Sequence, residues 1–124
     1  MKMMTRLTGL LIVVFAVSAW AAPKLEGTYS FVSRTKDGKA EMTGWNGTME
    51  IKKGTMARNY AKGKDKKFYT GTMTKDGKVY VVKYTDAYKK DYIGDEHRNQ
   101  FTWEKDTLTI TSEDGKFKEV WKKN

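Results

Sequence analysis

Apolar and polar residues alternate along most of this chain, most clearly at its C-terminal end. Large apolar residues recur at alternate positions through 101–110 and again through 117–121, and short charged stretches separate the runs. Successive side chains of a β-strand point to opposite faces of the sheet, so a period of two is typical of antiparallel strands with one buried face. The pattern therefore predicts paired strands here.

Turn signals recur at short intervals through the rest of the chain. Asp-Gly, Asn-Gly and Lys-Gly steps separate the alternating runs, and no helical period of adequate length is present. This spacing favours an all-β barrel or sandwich. The predicted strands are 27–33, 39–43, 48–52, 55–61, 67–74, 78–84, 99–104, 107–112 and 116–122. The segment 85–98 fits a strand, a short helix or a lid, and the pattern leaves all three open.

Four predicted hairpins test the register, because a slip of one residue would send the apolar set of a strand to the wrong face. Their turns lie at 53–54, 76–77, 105–106 and 114–115. Each turn places apolar residues opposite apolar residues; the one at 76–77, for example, pairs Met73 with Tyr80. The pairings predict that Tyr80, Trp103, Ile110 and Trp121 share one buried interior.

A chain of hairpins leaves two open edges, which closure into a barrel removes. The first strand offers Tyr29 and Phe31 on one face and is the natural partner of the last strand. We therefore expect an all-β fold, a small antiparallel up-and-down β-barrel formed by residues 22–124.

The first 21 residues have the composition of a cleaved secretory signal peptide. Lys2 and Arg6 precede an apolar run at 7–20, and residues 19–21 have the small-x-small form of a cleavage site. The alternative is a retained N-terminal anchor, although the run is shorter than the roughly 20 apolar residues of a membrane span. Cleavage leaves 103 residues, enough for one domain. We expect a periplasmic or secreted protein with no membrane span in its mature form.

Cysteine is absent, so disulfides, thiolate metal sites and a lipid-attachment thiol are excluded. The formal charge of +9 falls to +7 when Lys2 and Arg6 leave with the signal peptide. An excess of this size attracts anionic surfaces and also keeps a small protein soluble. The lysines are spread over many turns, which favours the second role.

The densest basic loop could still hold an anionic surface. Its lysines are Lys62, Lys64, Lys66 and Lys67. The alternation places the neighbouring Tyr69 inside the barrel, so the aromatic platform of a single-strand nucleic-acid binder is not expected. No specific nucleic-acid partner is predicted, and a monomer is expected.

Two stretches resemble a known family. Residues 25–33 read Leu-Glu-Gly-Thr-Tyr-Ser-Phe-Val-Ser and precede Asp-Gly-Lys at 37–39, which resembles the opening of lipocalin-like (calycin) barrels; residues 103–123 are similar to their final strands. Tyr29 stands where the family usually has Trp, and Lys122 or Lys123 where an Arg commonly packs across it. The last strand lacks the Arg-x-Tyr pair that fatty-acid-binding relatives use. The resemblance implies an exported binder of a small, partly apolar molecule.

The alternation points two charged residues inward, Arg58 and Glu119. A lone buried charge is costly, so each should pair with the other, with a ligand or with trapped water. Inward tyrosines add hydroxyls and ring faces. The candidate ligand-binding residues are Arg58, Tyr60, Tyr69, Tyr80, Tyr84, Trp103 and Glu119. The alternative is an internal Arg58–Glu119 salt bridge, with the tyrosines filling the core as in other small barrels.

Catalytic and metal chemistry find little support in the sequence. His97 is the only histidine and sits in a charged loop, and no second histidine exists to complete a zinc set. There is no cysteine nucleophile and no Gly-x-Ser-x-Gly elbow. We expect no enzyme activity, no metal and no cofactor.

The leading hypothesis is an exported, non-enzymatic β-barrel that binds a small hydrophobic or aromatic molecule in its interior. The alternative is a protein-interaction module, such as a periplasmic or secreted hydrolase inhibitor, with its contact in the loop around Trp45 and Asn46 or in the segment 85–98. An exposed Trp45 over a packed interior favours the inhibitor. A lined cavity with Arg58 at its end favours the binder.

Overall fold

The computed structural model describes residues 23–124 and is almost entirely β-structure. The predicted signal peptide, residues 1–21, lies outside the described residues. Two 3-10 turns occur, at Pro23–Leu25 and Lys90–Tyr92. The strands are β1 (Gly27–Lys36), β2 (Lys39–Glu41), β3 (Asn46–Lys52), β4 (Thr55–Lys62), β5 (Asp65–Asp76), β6 (Val79–Ala87), β7 (Glu96–Glu104), β8 (Thr107–Ser112) and β9 (Phe117–Lys123).

Eight of these strands form a closed antiparallel barrel. Strands β3 to β9 pair in chain order, and β1 closes the ring by pairing with β3 on one side and β9 on the other. Phe31 lies opposite Trp121 at the closure. The short β2 pairs with the distal end of β1, outside the ring. The predicted all-β, up-and-down barrel is therefore confirmed.

Three of the four predicted hairpin registers are confirmed. Ile51 lies opposite Met56, Trp103 opposite Leu108, and Ile110 opposite Glu119. Backbone conformation explains the first: Lys53 and Gly54 both have positive φ, as a type I′ turn requires.

The register at 76–77 was wrong by two residues. Met73 lies opposite Val82, not Tyr80, and the two-residue loop is Gly77-Lys78. Gly77 has a φ of +64° whereas Asp76 is not in the positive region, and a glycine at the first central position is typical of type II′ turns. Because the period of the strand is two, a shift of two residues leaves every side chain on its predicted face.

Side chains fill the barrel through its middle and one end. The buried apolar residues include Tyr29, Met49, Ile51, Met56, Met73, Tyr80, Val82, Leu108, Ile110 and Trp121. Trp103 is half-buried and packs edge-on against Tyr29, with ring centroids 6.0 Å apart. The four residues expected to share one interior therefore do so, and Trp103 lies at its border.

The filled end of the barrel, called the closed end below, is capped by the Pro23–Leu25 turn. The hydroxyl of Tyr29 donates a hydrogen bond of 2.6 Å to the carbonyl oxygen of Leu25. Lys123 Nζ lies 5.4 Å from the centre of the Trp103 ring, so the terminal lysine covers an aromatic side chain at this end. The opposite end is called the open end.

The segment 85–98 combines a strand, a turn and another strand. Strand β6 continues to Ala87, the Lys90–Tyr92 turn follows, and β7 begins at Glu96. Backbone hydrogen bonds attach the connection to the barrel, from Tyr88 N to Phe68 O at 3.0 Å and from Gly94 N to Tyr84 O at 2.8 Å. Within residues 23–124, no helix has the length and apolar character needed to cross a membrane.

Candidate functional site

An irregularity in β1 brings Arg34 into the open end. Phe31 pairs with Trp121 but Ser33 pairs with Val120, so β1 contains one extra residue. The extra residue, Val32, is 56% exposed. A bulge of this kind reverses the in-and-out alternation of the residues that follow. Arg34 therefore points inward and lies opposite Glu119.

Glu119 is the centre of the polar cluster. Its side chain is 4% exposed and accepts four hydrogen bonds. Oε2 accepts from Arg34 Nη1 at 2.7 Å and from the Tyr60 hydroxyl at 2.8 Å. Oε1 accepts from Arg58 Nη1 at 3.1 Å and from Trp121 Nε1 at 3.1 Å. The expected internal pairing of Arg58 with Glu119 is present, and the carboxylate is fully satisfied.

Arg58 is satisfied only in part. Its Nη1 also lies 3.3 Å from the Tyr60 hydroxyl, and its Nη2 donates to the Tyr84 hydroxyl. A guanidinium has five N–H groups, and these bonds use three of them. Nε is buried and has no partner among the described residues. A buried donor without an acceptor costs roughly 1–3 kcal/mol, so an additional acceptor at Arg58 Nε would be stabilising.

Aromatic rings surround the guanidinium of Arg58. Its Cζ lies 5.1 Å from the centre of the Tyr69 ring and 5.9 Å from that of Tyr84. Tyr69 is tilted against Tyr84 at 5.2 Å and against Tyr92 at 6.0 Å. His97 lies at 4.8 Å from Tyr84. The charged centre is thus enclosed by flat, polarisable surfaces.

The charges determine the protonation states of the cluster. Burial by itself would raise the pKa of Glu119, but the charges of Arg58 and Arg34 outweigh it and hold this pKa below its ordinary value of 4.5. Burial raises the pKa of Tyr60 strongly. Partial desolvation and the charge of Arg58 lower the pKa of His97. At neutral pH the cluster therefore holds an ionised Glu119, a neutral Tyr60 and a neutral His97.

Three cavities at the open end share Arg34 in their walls. The largest, about 380 Å³, is bounded by Glu41, Met42, Trp45 and Tyr69 among others. Two cavities of about 170 Å³ each adjoin Arg58, Tyr84 and His97. The first lies within the roughly 300–1,000 Å³ of small-molecule sites, and the other two are smaller than that range. At the closed end the interior is filled, and the cavity of about 400 Å³ there lies on the outer surface, along the exposed Thr28 and Glu50.

The structure brings five of the seven predicted site residues together. Arg58, Tyr60, Tyr84 and Glu119 form one hydrogen-bonded cluster, and Tyr69 packs on it. The other two lie apart from it: Tyr80 packs on Phe101 at 4.9 Å and Trp103 packs on Tyr29.

Arg34, His97 and Tyr92 belong to this site but were not among the residues predicted from the sequence. Arg34 was missed because strict alternation places it outside, and only the bulge at Val32 reverses its direction. The prediction of a solvated charged loop around His97 is wrong in part: His97 lies in β7 opposite Val82. It is exposed, as expected, and also lines two cavities. Among residues 23–124, no three carboxylate or imidazole groups converge as a metal site would require.

The basic loop lies at the open end as well. Lys62, Lys64 and Lys66 are exposed, whereas Lys67 is half-buried, with its Nζ 5.2 Å from the centre of the Trp45 ring. Trp45 itself is half-buried and packs against the core. An anionic partner for these lysines stays a prediction.

Comparison with known proteins gives no assignment. No protein-family model, no curated protein and no solved structure matches this chain.

Proposed function

We propose that this protein is an exported, lipocalin-like, non-enzymatic barrel that binds a small molecule with an aromatic or apolar body at its open end. The observation that supports it is the position of Arg58, a buried arginine with unused hydrogen-bond donors beside two cavities. A site of this kind needs apolar walls and a few placed polar groups. The filled closed end limits the ligand to the open half of the barrel.

The aromatic walls support the same proposal. Tyr69, Tyr84 and Tyr92 present ring faces to one cavity, and Trp45 and Met42 line the larger one. Such side chains supply contact area with few rotatable bonds to order. The alternative, a loop-presenting inhibitor, expects Trp45 to be exposed, and its half-buried position beside a cavity favours the binder.

Binding can be tested on the mature chain with a panel of small aromatic and aliphatic compounds. A ligand at about 100 times its Kd stabilises the folded state by about 2.7 kcal/mol, which raises the melting temperature measurably. We expect aromatic members to do so, and native mass spectrometry to show one molecule bound per chain. A protein isolated empty, whose melting temperature no compound moves, contradicts the proposal.

A matched pair of variants locates the site. Tyr92 lines a cavity at the open end, whereas the neighbouring Ile93 is exposed. Tyr92→Ala should weaken binding roughly tenfold, because one ring contact is lost, and Ile93→Ala should leave affinity unchanged in calorimetric titration. Equal effects of the two substitutions would place the ligand elsewhere.

A further inference from the structure

We infer that the molecule bound at the open end is a single-ring aromatic carboxylate whose carboxylate group is held by Arg58. This inference rests on the proposed function and narrows it to a chemical class. Three properties of the cluster carry it: the donors that Arg58 leaves unused, the volume of the cavities beside it, and the balance of buried charge.

The unused donors of Arg58 select the polar group of the ligand. Nε–H has no acceptor, and Nη2 carries two hydrogens but donates one bond, to Tyr84. Two free N–H groups on one guanidinium suit an acceptor with two oxygens, because arginine and carboxylate form paired, charge-assisted bonds. The side chain is 12% exposed but Nε itself is covered, so a carboxylate that bonds Nε has to displace side chains that line the adjoining cavities.

Cavity volume sets the size of the apolar part. Each of the two cavities beside Arg58 measures about 170 Å³, and an apolar cavity of roughly 150 Å³ is known to hold one benzene molecule. Tyr69, Tyr84 and Tyr92 line one of them, which suits a flat ring. A long aliphatic chain would need the space that the core occupies.

The balance of buried charge selects an anion. Arg34 and Arg58 share the carboxylate of Glu119, so two positive charges meet one negative charge inside the cluster. Glu41 pairs with Arg34 from a position 37% exposed, and Asp95 is exposed at the edge of one cavity. With Glu41 counted the four groups are formally neutral, but Glu41 is the most exposed of them, at 37% against 25% for Arg34 and 12% for Arg58. Solvent therefore screens its negative charge most, and the interior keeps a positive bias that a bound carboxylate would offset.

Benzoate, benzamide and acetate test the class directly in calorimetric titrations of the mature protein. Benzoate has both the ring and the charge, benzamide keeps the ring without the charge, and acetate keeps the charge without the ring. We expect benzoate to bind roughly tenfold or more tightly than either of the others, since each lacks one of the two contacts. Benzamide binding as tightly as benzoate would overturn the carboxylate assignment and leave the proposed function standing.

The NMR signal of His97 can report benzoate binding near Arg58. It can be assigned without ambiguity, because His97 is the only histidine in the sequence. The charged and titratable groups around it are Arg58, Arg34, Asp95 and Tyr84. A bound carboxylate offsets the charge of Arg58, so the His97 pKa followed by NMR should rise when benzoate binds and stay constant with benzamide. Saturable benzoate binding without this rise would place the anion away from Arg58.

Arg58→Lys tests whether the planar set of N–H donors of Arg58 holds the carboxylate, or whether its positive charge is enough. Lysine keeps a positive charge for Glu119 but lacks the Nε donor and the planar geometry, so benzoate affinity should fall roughly tenfold. The control is Arg98→Lys, on the surface of the same barrel, where Arg98 pairs with Asp76 and Glu113. Unchanged benzoate affinity in a folded Arg58→Lys protein would overturn the inference, and if that variant does not fold, the His97 titration of the unsubstituted protein gives the result.

No binding of any of the three probes to a protein that does bind other aromatic compounds would reject the carboxylate class alone. No binding of any aromatic compound would reject the inference together with the proposed function.

Discussion

At the scale of single residues, one carboxylate organises the interior. Glu119 is surrounded by Arg34, Arg58, Tyr60 and Trp121, each donating one hydrogen bond to it. These donors come from β1, β4 and β9, so the cluster ties distant parts of the chain together. Its members depend on one another, because removal of the carboxylate takes away the counter-charge that Arg34 and Arg58 share.

Glu119→Gln should therefore destabilise the protein strongly. Neutralising the carboxylate leaves Arg58 buried without its counter-charge, and losing one partner of a buried pair costs about 3 kcal/mol or more. Urea unfolding followed by circular dichroism measures the change. Glu113→Gln is the control, because Glu113 pairs with Arg98 on the surface, where screening by water makes such pairs weak. Similar losses in the two variants would contradict the central role of Glu119.

At the scale of elements, two departures from regular pairing shape the open end. The bulge in β1 redirects Arg34, and a second register shift in the β5–β6 pair lies between Thr70 and Gly71. The extra residue is Thr85 of β6, and beyond it Tyr69 pairs with the buried Ala87 and not with Asp86. Bulges commonly re-aim side chains near functional sites, and here both lie on strands that supply residues to the cluster.

Gly71 permits the second irregularity. A Cβ at this position would lie 2.5 Å from the backbone oxygen of Lys83, so Gly71→Ala forces β5 and β6 apart. We expect a loss of about 1–3 kcal/mol, the usual cost of overpacking, measured by urea unfolding. Thr70→Ala, at the adjacent position, adds no atom and should cost less. Full stability of Gly71→Ala would show that the sheet can relax at this point.

At the scale of the whole molecule, closure of the sheet governs stability. Strands β1 and β9 pair over seven positions, and this contact joins the two ends of the chain. A closed barrel has no free edge in its ring, so unfolding at one point exposes the shared interior. The interior contains both the Glu119 cluster and the buried tyrosines, which makes global stability sensitive to pH at both extremes.

The free energy of unfolding should fall at acid and at alkaline pH. The pKa of Glu119 is lower in the folded state than its ordinary 4.5. Ionised Glu119 therefore stabilises the folded state above pH 4.5, and this contribution is lost as the pH falls towards the pKa of Glu119 in the folded protein. Burial raises the pKa of Tyr29 from 10.0 to about 12, so stability is also lost as the pH rises between those values. Urea unfolding at a series of pH values measures the loss of stability at both extremes. In Glu119→Gln, the free energy of unfolding should depend less on pH in the acid range. An unchanged dependence would mean that other carboxyl groups cause the acid loss of stability.

The sequence by itself determined most of the strands and turns, and the two faces of each strand apart from the part of β1 beyond Val32. Alternation identified Tyr29, Met49, Ile110 and Trp121 as interior residues, because burial on one face of a sheet imposes a period of two. The same rule placed Arg58 and Glu119 inside, and of the partners it left open for them, each other, a ligand or water, the structure shows the mutual salt bridge. Even the wrong register at 76–77 preserved the faces, since a shift of two residues maps each face onto itself.

The tertiary structure alone decided which interior residues meet and where space remains. Arg34 reaches the cluster because of the bulge in β1. The bulge depends on how β1 pairs with β9, and the alternation of apolar and polar residues does not predict it. Tyr80 and Trp103 have the same alternation as Tyr60 and Tyr84, but their heights along the barrel separate them from Arg58. Alternation predicts whether a side chain points into the barrel or out of it. Which side chains form a site also depends on how far along the barrel axis each one lies, and on which residues of sequence-distant strands it contacts.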